Sequence, residues 1–231
     1  MMRALVLLGS TVVWTSVRAE TLAELLSAVA VQASAPRPLR ADVRIERDGS
    51  PAGDAIFLAH GVRLYVETRA GMRALLSPGK AVVLRGNRVV RAAPDAVIAG
   101  TDVLLQDLEP FGERSLSTPQ VSDETPDRLV VMGAPAPPSP YVLLVHVIDR
   151  EQHVIVQTKY YRDSVSNLVK IRRDDEFSQV GGRWRPATIA VQSLHDSTTT
   201  RLSLAWHEAP DAPAALFTPA GLRAPSPLRW P

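Results

Sequence analysis

Cysteine is absent from all 231 residues. That removes disulfides as a source of stability, and it leaves no thiolates to complete a zinc set. It also excludes a lipid-anchored form of the chain, because diacylation needs a cysteine directly after a signal segment. Beyond the N-terminus no apolar run is long enough to span a bilayer, so the expectation is a soluble protein that is not integral to a membrane. Catalytic signatures are missing as well. There is no GxSxG, no GxxxxGK[ST] and no GxGxxG opening a helix. Ser77-Pro78-Gly79-Lys80 meets the SxxK spacing, but Pro-Gly predicts a turn where that chemistry needs one helical face.

A usable excess of charge is lacking too. The chain has 26 basic and 24 acidic residues and a pI near 9.2. Arg3 and Arg18 lie in an N-terminal segment expected to be removed, which leaves 24 basic against 24 acidic residues. A balanced chain has no long-range field for phosphate, so nucleic acid is not an expected partner. Arg183-Trp184-Arg185 is the nearest approach to a base-stacking patch, and it reads as a turn with one packed tryptophan. The five histidines are His60, His146, His153, His195 and His207. None stands at HExxH or HxH spacing, so they read as exposed or strand-end residues, with no metal and no cofactor implied. Asp174-Asp175-Glu176 lacks the alternating oxygens and turn glycine of a calcium loop and reads as a solvated turn.

What is present begins with an export signal. Met1 to Arg3 is a short basic region, Ala4 to Trp14 is mostly apolar, and Val17-Arg18-Ala19 offers small residues for cleavage. Residues 1–19 are therefore expected to be a signal peptide, with an uncleaved anchor as the alternative; cleavage would leave 212 residues starting at Glu20. Thr21 to Gln32 predicts a helix through Leu22, Leu25, Leu26 and Val29, with Thr21 and Glu24 as a capping box and Ala35-Pro36-Arg37-Pro38 as its stop.

Alternation predicts strands over Arg40 to Arg47 and Val62 to Arg69, and the apolar run Ala55 to Ala59 is a further strand candidate, with turns at Asp48-Gly49 and His60-Gly61. Shorter runs follow at Ala74 to Leu76, Ala81 to Arg85 and Arg88 to Arg91. Others lie at Arg128 to Met132, Tyr141 to Ile148, His153 to Tyr161, Leu168 to Arg172, Arg185 to Gln192 and Thr200 to Trp206. Pro94 can open a helix, and Leu104, Leu105 and Leu108 share a face of a short helix. About ten strands and few helices predict a mainly β (α+β) fold. The form is a large curled antiparallel sheet, or half-open β-barrel, with helices covering the concave mouth. Residues 20–224 form one domain and 225–231 a disordered tail.

The C-terminal half carries Lys159-Tyr160-Tyr161, Leu168-Val169-Lys170, the Gly182-Arg183-Trp184-Arg185-Pro186 turn, the Thr200-to-Leu204 strand and Phe217-Thr218-Pro219 before Leu222. With Gly100-Thr101-Asp102 and Gln106-Asp107-Leu108, this order resembles the LolA-like outer-membrane lipoprotein-sorting family, in an uncharacterised subgroup. The chain departs from the family pattern at Leu105-Gln106, at Ala93 to Ala99 and in the Ala134-to-Pro140 insertion. The resemblance implies a non-enzymatic periplasmic carrier in a Gram-negative bacterium. It would bind acyl chains of lipoproteins or other lipids in an apolar cavity and shuttle them toward the outer membrane, between an inner-membrane transporter and an outer-membrane acceptor. The alternative is a sensor or adaptor of the same fold that binds a protein partner. The expected cavity is Val43, Ile45, Ile56, Leu58, Leu64 and Val66, with Leu104, Leu105 and Leu108 as a lid. Alternation marks a buried face without saying what fills it, so plain sheet core is the other reading of the strand residues.

Overall fold

The computed structural model describes residues 20–98, 100–226 and 228–230. The expected signal peptide, residues 1–19, lies outside them. Helix α1 (Leu22–Ala33) is opened by the capping box expected from sequence: the Glu24 amide donates to Thr21 Oγ1 at 3.3 Å, and Glu24 Oε2 accepts from the Thr21 amide at 2.9 Å. Hydrogen bonds donated by the Thr21 amide and hydroxyl hold the Glu24 carboxyl below its usual range. Its buried face is Leu25, Leu26 and Val29.

Thirteen strands follow among the described residues: β1 (Ala35–Arg47), β2 (Ser50–Gly61), β3 (Arg63–Thr68), β4 (Arg73–Ser77), β5 (Lys80–Arg85) and β6 (Arg88–Arg91), then β7 (Leu116–Glu124), β8 (Arg128–Pro135), β9 (Leu143–Asp149), β10 (Val154–Tyr161), β11 (Leu168–Val180), β12 (Arg183–Ser193) and β13 (Thr198–Glu208). They form one antiparallel sheet in the order β6-β5-β4-β3-β2-β1-β13-β12-β11-β10-β9-β8-β7. The two edges, β6 and β7, do not pair, so the sheet is open and is not a closed barrel.

Local chemistry sets the hairpins. Asp48 and Gly49 both have positive φ, +51° and +78°, the two-residue turn whose twist matches flanking strands. Pro78-Gly79 forms the β4–β5 turn with Gly79 at φ +69°, so the SxxK spacing is a hairpin turn. In β1 the side chains of Ala41, Val43 and Ile45 are buried, while Arg40, Asp42 and Arg44 between them are not.

Several expectations need correction. No helix starts at Pro94; the segment folds instead as turns and a bridge between Val97 and Leu104, with a 3-10 turn over Leu105–Leu108. Strand β7 went unpredicted because it is an edge strand that is mostly exposed, polar and interrupted by Pro119, and so shows no alternation. Asp174-Asp175-Glu176 lies within β11 and not in a turn. Apart from these corrections, the described part of residues 225–231 makes contacts with the rest of the chain. Ser226 donates to Glu67 at 2.6 Å, Arg40 donates to the Arg229 carbonyl at 2.8 Å, and the Arg69 guanidinium lies 5.3 Å from the Trp230 ring centre.

Two apolar clusters occupy one face of the sheet. In the first, Val43, Ile45, Phe57, Leu64, Val66, Ile189 and Leu202 meet Ile98, Val103, Leu105 and Leu108 of the segment that links the two edges. In the second, Leu25, Leu26 and Val29 of α1 meet Leu129, Val131, Ile148 and Phe111. The opposite face of β2 to β5 is covered by the C-terminal 3-10 turns, through Leu216, Phe217 and Leu222.

Candidate ligand cavity

A row of residues paired directly across six strands defines the middle of the inner face: Thr200, Val191, Arg172, Thr158, His146 and Val131. Opposed residues of an antiparallel pair share a face. In this row Val191 and Val131 flank a polar centre of Arg172, Thr158 and His146, with the Thr200 hydroxyl beyond Val191.

Above this row lies a cavity of about 220 Å³. Its apolar wall includes Val29 of α1, Phe57 and Leu64 of β2 and β3, Leu108 and Phe111 of the linking segment, and Leu144 of β9. Strands β3 and β9 are seven positions apart in the sheet, about 34 Å if it were flat at about 4.8 Å per strand. Their sharing one cavity requires a strongly curled sheet.

The linking segment is bolted down by charge. Asp107 is almost fully buried; it accepts from the Lys170 ammonium at 2.6 Å, the Tyr141 hydroxyl at 2.7 Å and the Leu104 amide at 2.8 Å. Lys170 also donates to the Asp102 carbonyl at 2.8 Å, while Asp102 takes Thr198 at 2.5 Å and Arg47 at 3.2 Å. Arg172 donates to the Asp107 carbonyl and forms a two-pronged pair with Asp174 at 2.6 and 2.5 Å. Burial pushes Asp174 up, a shift opposed by Arg172, and it pushes the Tyr141 and Tyr160 hydroxyls up as well.

Three further groups on the cavity wall are perturbed. His146 is held down at about 4 by burial and then by Arg172, which keeps it neutral, with Nδ1 2.9 Å from Thr158 Oγ1. Glu109 is pushed up to about 7, chiefly by burial and against the pull of the Gly79 amide at 3.0 Å. Arg185 is lowered to about 10 by burial and by Arg183. It donates to the Gln32, Ala33 and Ser34 carbonyls at 3.2, 3.2 and 2.6 Å and so caps the C-terminus of α1.

The sequence-predicted residues fall into four places. Leu64 and Leu108 line the cavity. Val43, Ile45, Val66 and Leu105 lie in the packed cluster around it, against Ile98 and Val103. Leu104 packs separately with Tyr141 and Tyr160, because three residues per turn put Leu105 and Leu108 on one face and leave Leu104 off it. Ile56 and Leu58 belong to the opposite face, with Tyr65, Leu75 and Val82. The reason is a β-bulge. Arg47 pairs with Ser50 and Glu46 with Pro51, but Ile45 pairs with Gly53, so one extra residue shifts the register and turns Phe57 inward. Proline and glycine at 51 and 53 are the sequence signal for that bulge. His146, read as exposed or at a strand end, is buried in mid-strand.

No helix among the described residues is long and apolar enough to cross a membrane. No curated protein matches the chain. Solved structures do. An outer membrane lipoprotein-sorting protein domain from Vibrio parahaemolyticus is 13% identical with a TM-score of 0.70, over 87% of this chain and 98% of that one. A LolA superfamily protein from Nitrosomonas europaea is 16% identical with a TM-score of 0.65, over 84% and 96%. A domain-of-unknown-function family protein from Desulfovibrio piger is 15% identical with a TM-score of 0.65, over 84% and 94%. A family model described as "Uncharacterized protein" matches residues 85–224. The chain belongs to that family of uncharacterised proteins, and its fold is that of the LolA-like lipoprotein-sorting proteins.

Proposed function

We propose that the chain is a periplasmic, non-enzymatic carrier that holds acyl chains of lipoproteins or other lipids in this cavity and moves them toward the outer membrane. It would receive them from an inner-membrane transporter and pass them to an outer-membrane acceptor. The supporting observation is the cavity itself: apolar walls from a curled sheet, lined also by Val29 of α1 and by Leu108 and Phe111 of the linking segment. Burial there contributes about 0.8 kcal/mol for each methylene removed from water. At about 220 Å³ the cavity exceeds the roughly 150 Å³ that holds a benzene and falls short of the roughly 300 Å³ at which drug-sized sites begin. It suits one chain segment, and a multiply acylated cargo would require α1 to move.

Ala59 lines the cavity, and Ala59→Phe fills part of it with no change to the charged network. The expected outcome is a loss of fluorescent fatty-acid uptake of at least about tenfold, or roughly 1.4 kcal/mol, in a protein that keeps its melting transition. Undiminished uptake by the folded variant would overturn the assignment of the cavity.

A further inference from the structure

Once the charged groups on the cavity wall are matched to their partners, positive charge is left over. Arg172 is taken by Asp174, and Asp107 by Lys170. His153 lies 3.5 Å from Glu20. Glu109 keeps its proton up to about pH 7. Two guanidinium groups remain whose hydrogen bonds go only to carbonyls: Arg63, on Phe217 at 2.7 Å at the exposed rim, and Arg185, at the end of α1. No carboxylate among the described residues lies within ion-pair distance of Arg185, although the residue is only 7% exposed. A buried charge with no counter-charge is costly, and the carbonyls at the end of α1 offset this one with partial charge only.

A separate observation agrees. Four buried polar atoms without a hydrogen-bond partner belong to residues of the cavity wall: Arg185 Nε, Gln32 Nε2, His146 Nε2 and Gln106 Oε1. Two of them, Arg185 Nε and Gln32 Nε2, are obligate donors on neighbouring residues, since Arg185 already holds the Gln32 carbonyl. Orphaned donors shielded from water call for an acceptor.

We propose that the cavity selects a single-chain lipid with a free carboxylate, its head set against Arg185 and Gln32 and its chain along Val29, Phe57, Leu64 and Leu108. This rests on the carrier reading and names its ligand. A carboxylate is the compact, planar acceptor that suits a guanidinium, and charge-assisted hydrogen bonds are the strong ones. An acyl chain in ester or amide linkage would bring no such charge.

The test compares palmitate with 1-hexadecanol, which share a chain and differ in the head, by displacement of a fluorescent reporter from the full chain. Palmitate should bind at least about tenfold more tightly at low salt. Arg185→Gln should erase that preference, with palmitate losing far more affinity than hexadecanol. Gln32→Met leaves the cap on α1 intact, should cut the preference severalfold, and decides the matter if Arg185→Gln does not fold. Equal affinity for both ligands in the wild type would overturn the carboxylate site and leave the carrier reading standing. Binding of neither would overturn the carrier reading itself. Displacement of palmitate by inorganic phosphate alone would mark a free-anion site and also overturn the proposal.

Discussion

Lys170→Met tests whether the segment over the cavity is a fixed roof or a loose lid. The Lys170 side chain is 8% exposed and that of Asp107 is 0%, with 2.6 Å between them. Methionine keeps the length of the side chain and much of its apolar contact. What is lost is the ammonium, with its hydrogen bonds to Asp107 and to the Asp102 carbonyl. The buried Asp107 carboxylate would retain only Tyr141 and the Leu104 amide. Removing one member of a buried pair typically costs about 3–5 kcal/mol, because a charge stays behind without compensation. At about 2–4 °C per kcal/mol for a chain of this size, the melting temperature should fall by roughly 6–20 °C. Urea unfolding followed by tryptophan fluorescence would show a lower midpoint at unchanged slope. Asp107→Asn combined with Lys170→Met removes both charges and should recover part of the loss. The reasoning is refuted if Lys170→Met alone costs less than about 1 kcal/mol, because the pair would then behave as an exposed one.

Glu109→Gln isolates a pH effect. The folded carboxyl titrates near 7, above its usual value of 4.5, so its contribution to stability is full below about pH 4.5 and is lost as pH rises through 7. The melting temperature of Glu109→Gln relative to wild type should therefore be higher at pH 8 than at pH 5, and a flat difference in calorimetry would contradict the burial argument. Thr21→Ala breaks the capping box of α1 and should cost about 1 kcal/mol in urea unfolding. Phe57→Ala should cost about 3–5 kcal/mol and enlarge the cavity; Ile56→Ala, on the other face, should destabilise without altering ligand uptake.

Strands with one buried face were legible in the sequence, because alternation there follows from burial itself. Arg40 to Arg47 shows it, and so does the capping box at Thr21 and Glu24, where a local motif needs no tertiary information. Which face of the next strand turns inward was not legible from alternation alone. Ala55 to Ala59 is apolar at every position and buried on both sides, so it carries no period. Only the register chooses between Ile56 with Leu58 and Phe57 with Ala59, and one bulge at Pro51-Ala52-Gly53 reverses that choice. The polar centre of the cavity was hidden for a different reason. Lys170, Arg172 and Asp174 alternate along β11 in a way that reads as a solvated face, and the sequence does not say that Asp107, some sixty residues earlier, comes down on top of them. A row of charges on a strand is solvent-facing by default and becomes interior only when a distant segment supplies the counter-charge. Here that segment is the link between two sheet edges that never pair, so its position depends on the curl of the whole sheet. Arg185 extends the argument, since its partners are the last carbonyls of α1 and no acid. The helix end answers the guanidinium with partial charge only, and the remaining demand falls on whatever enters the cavity.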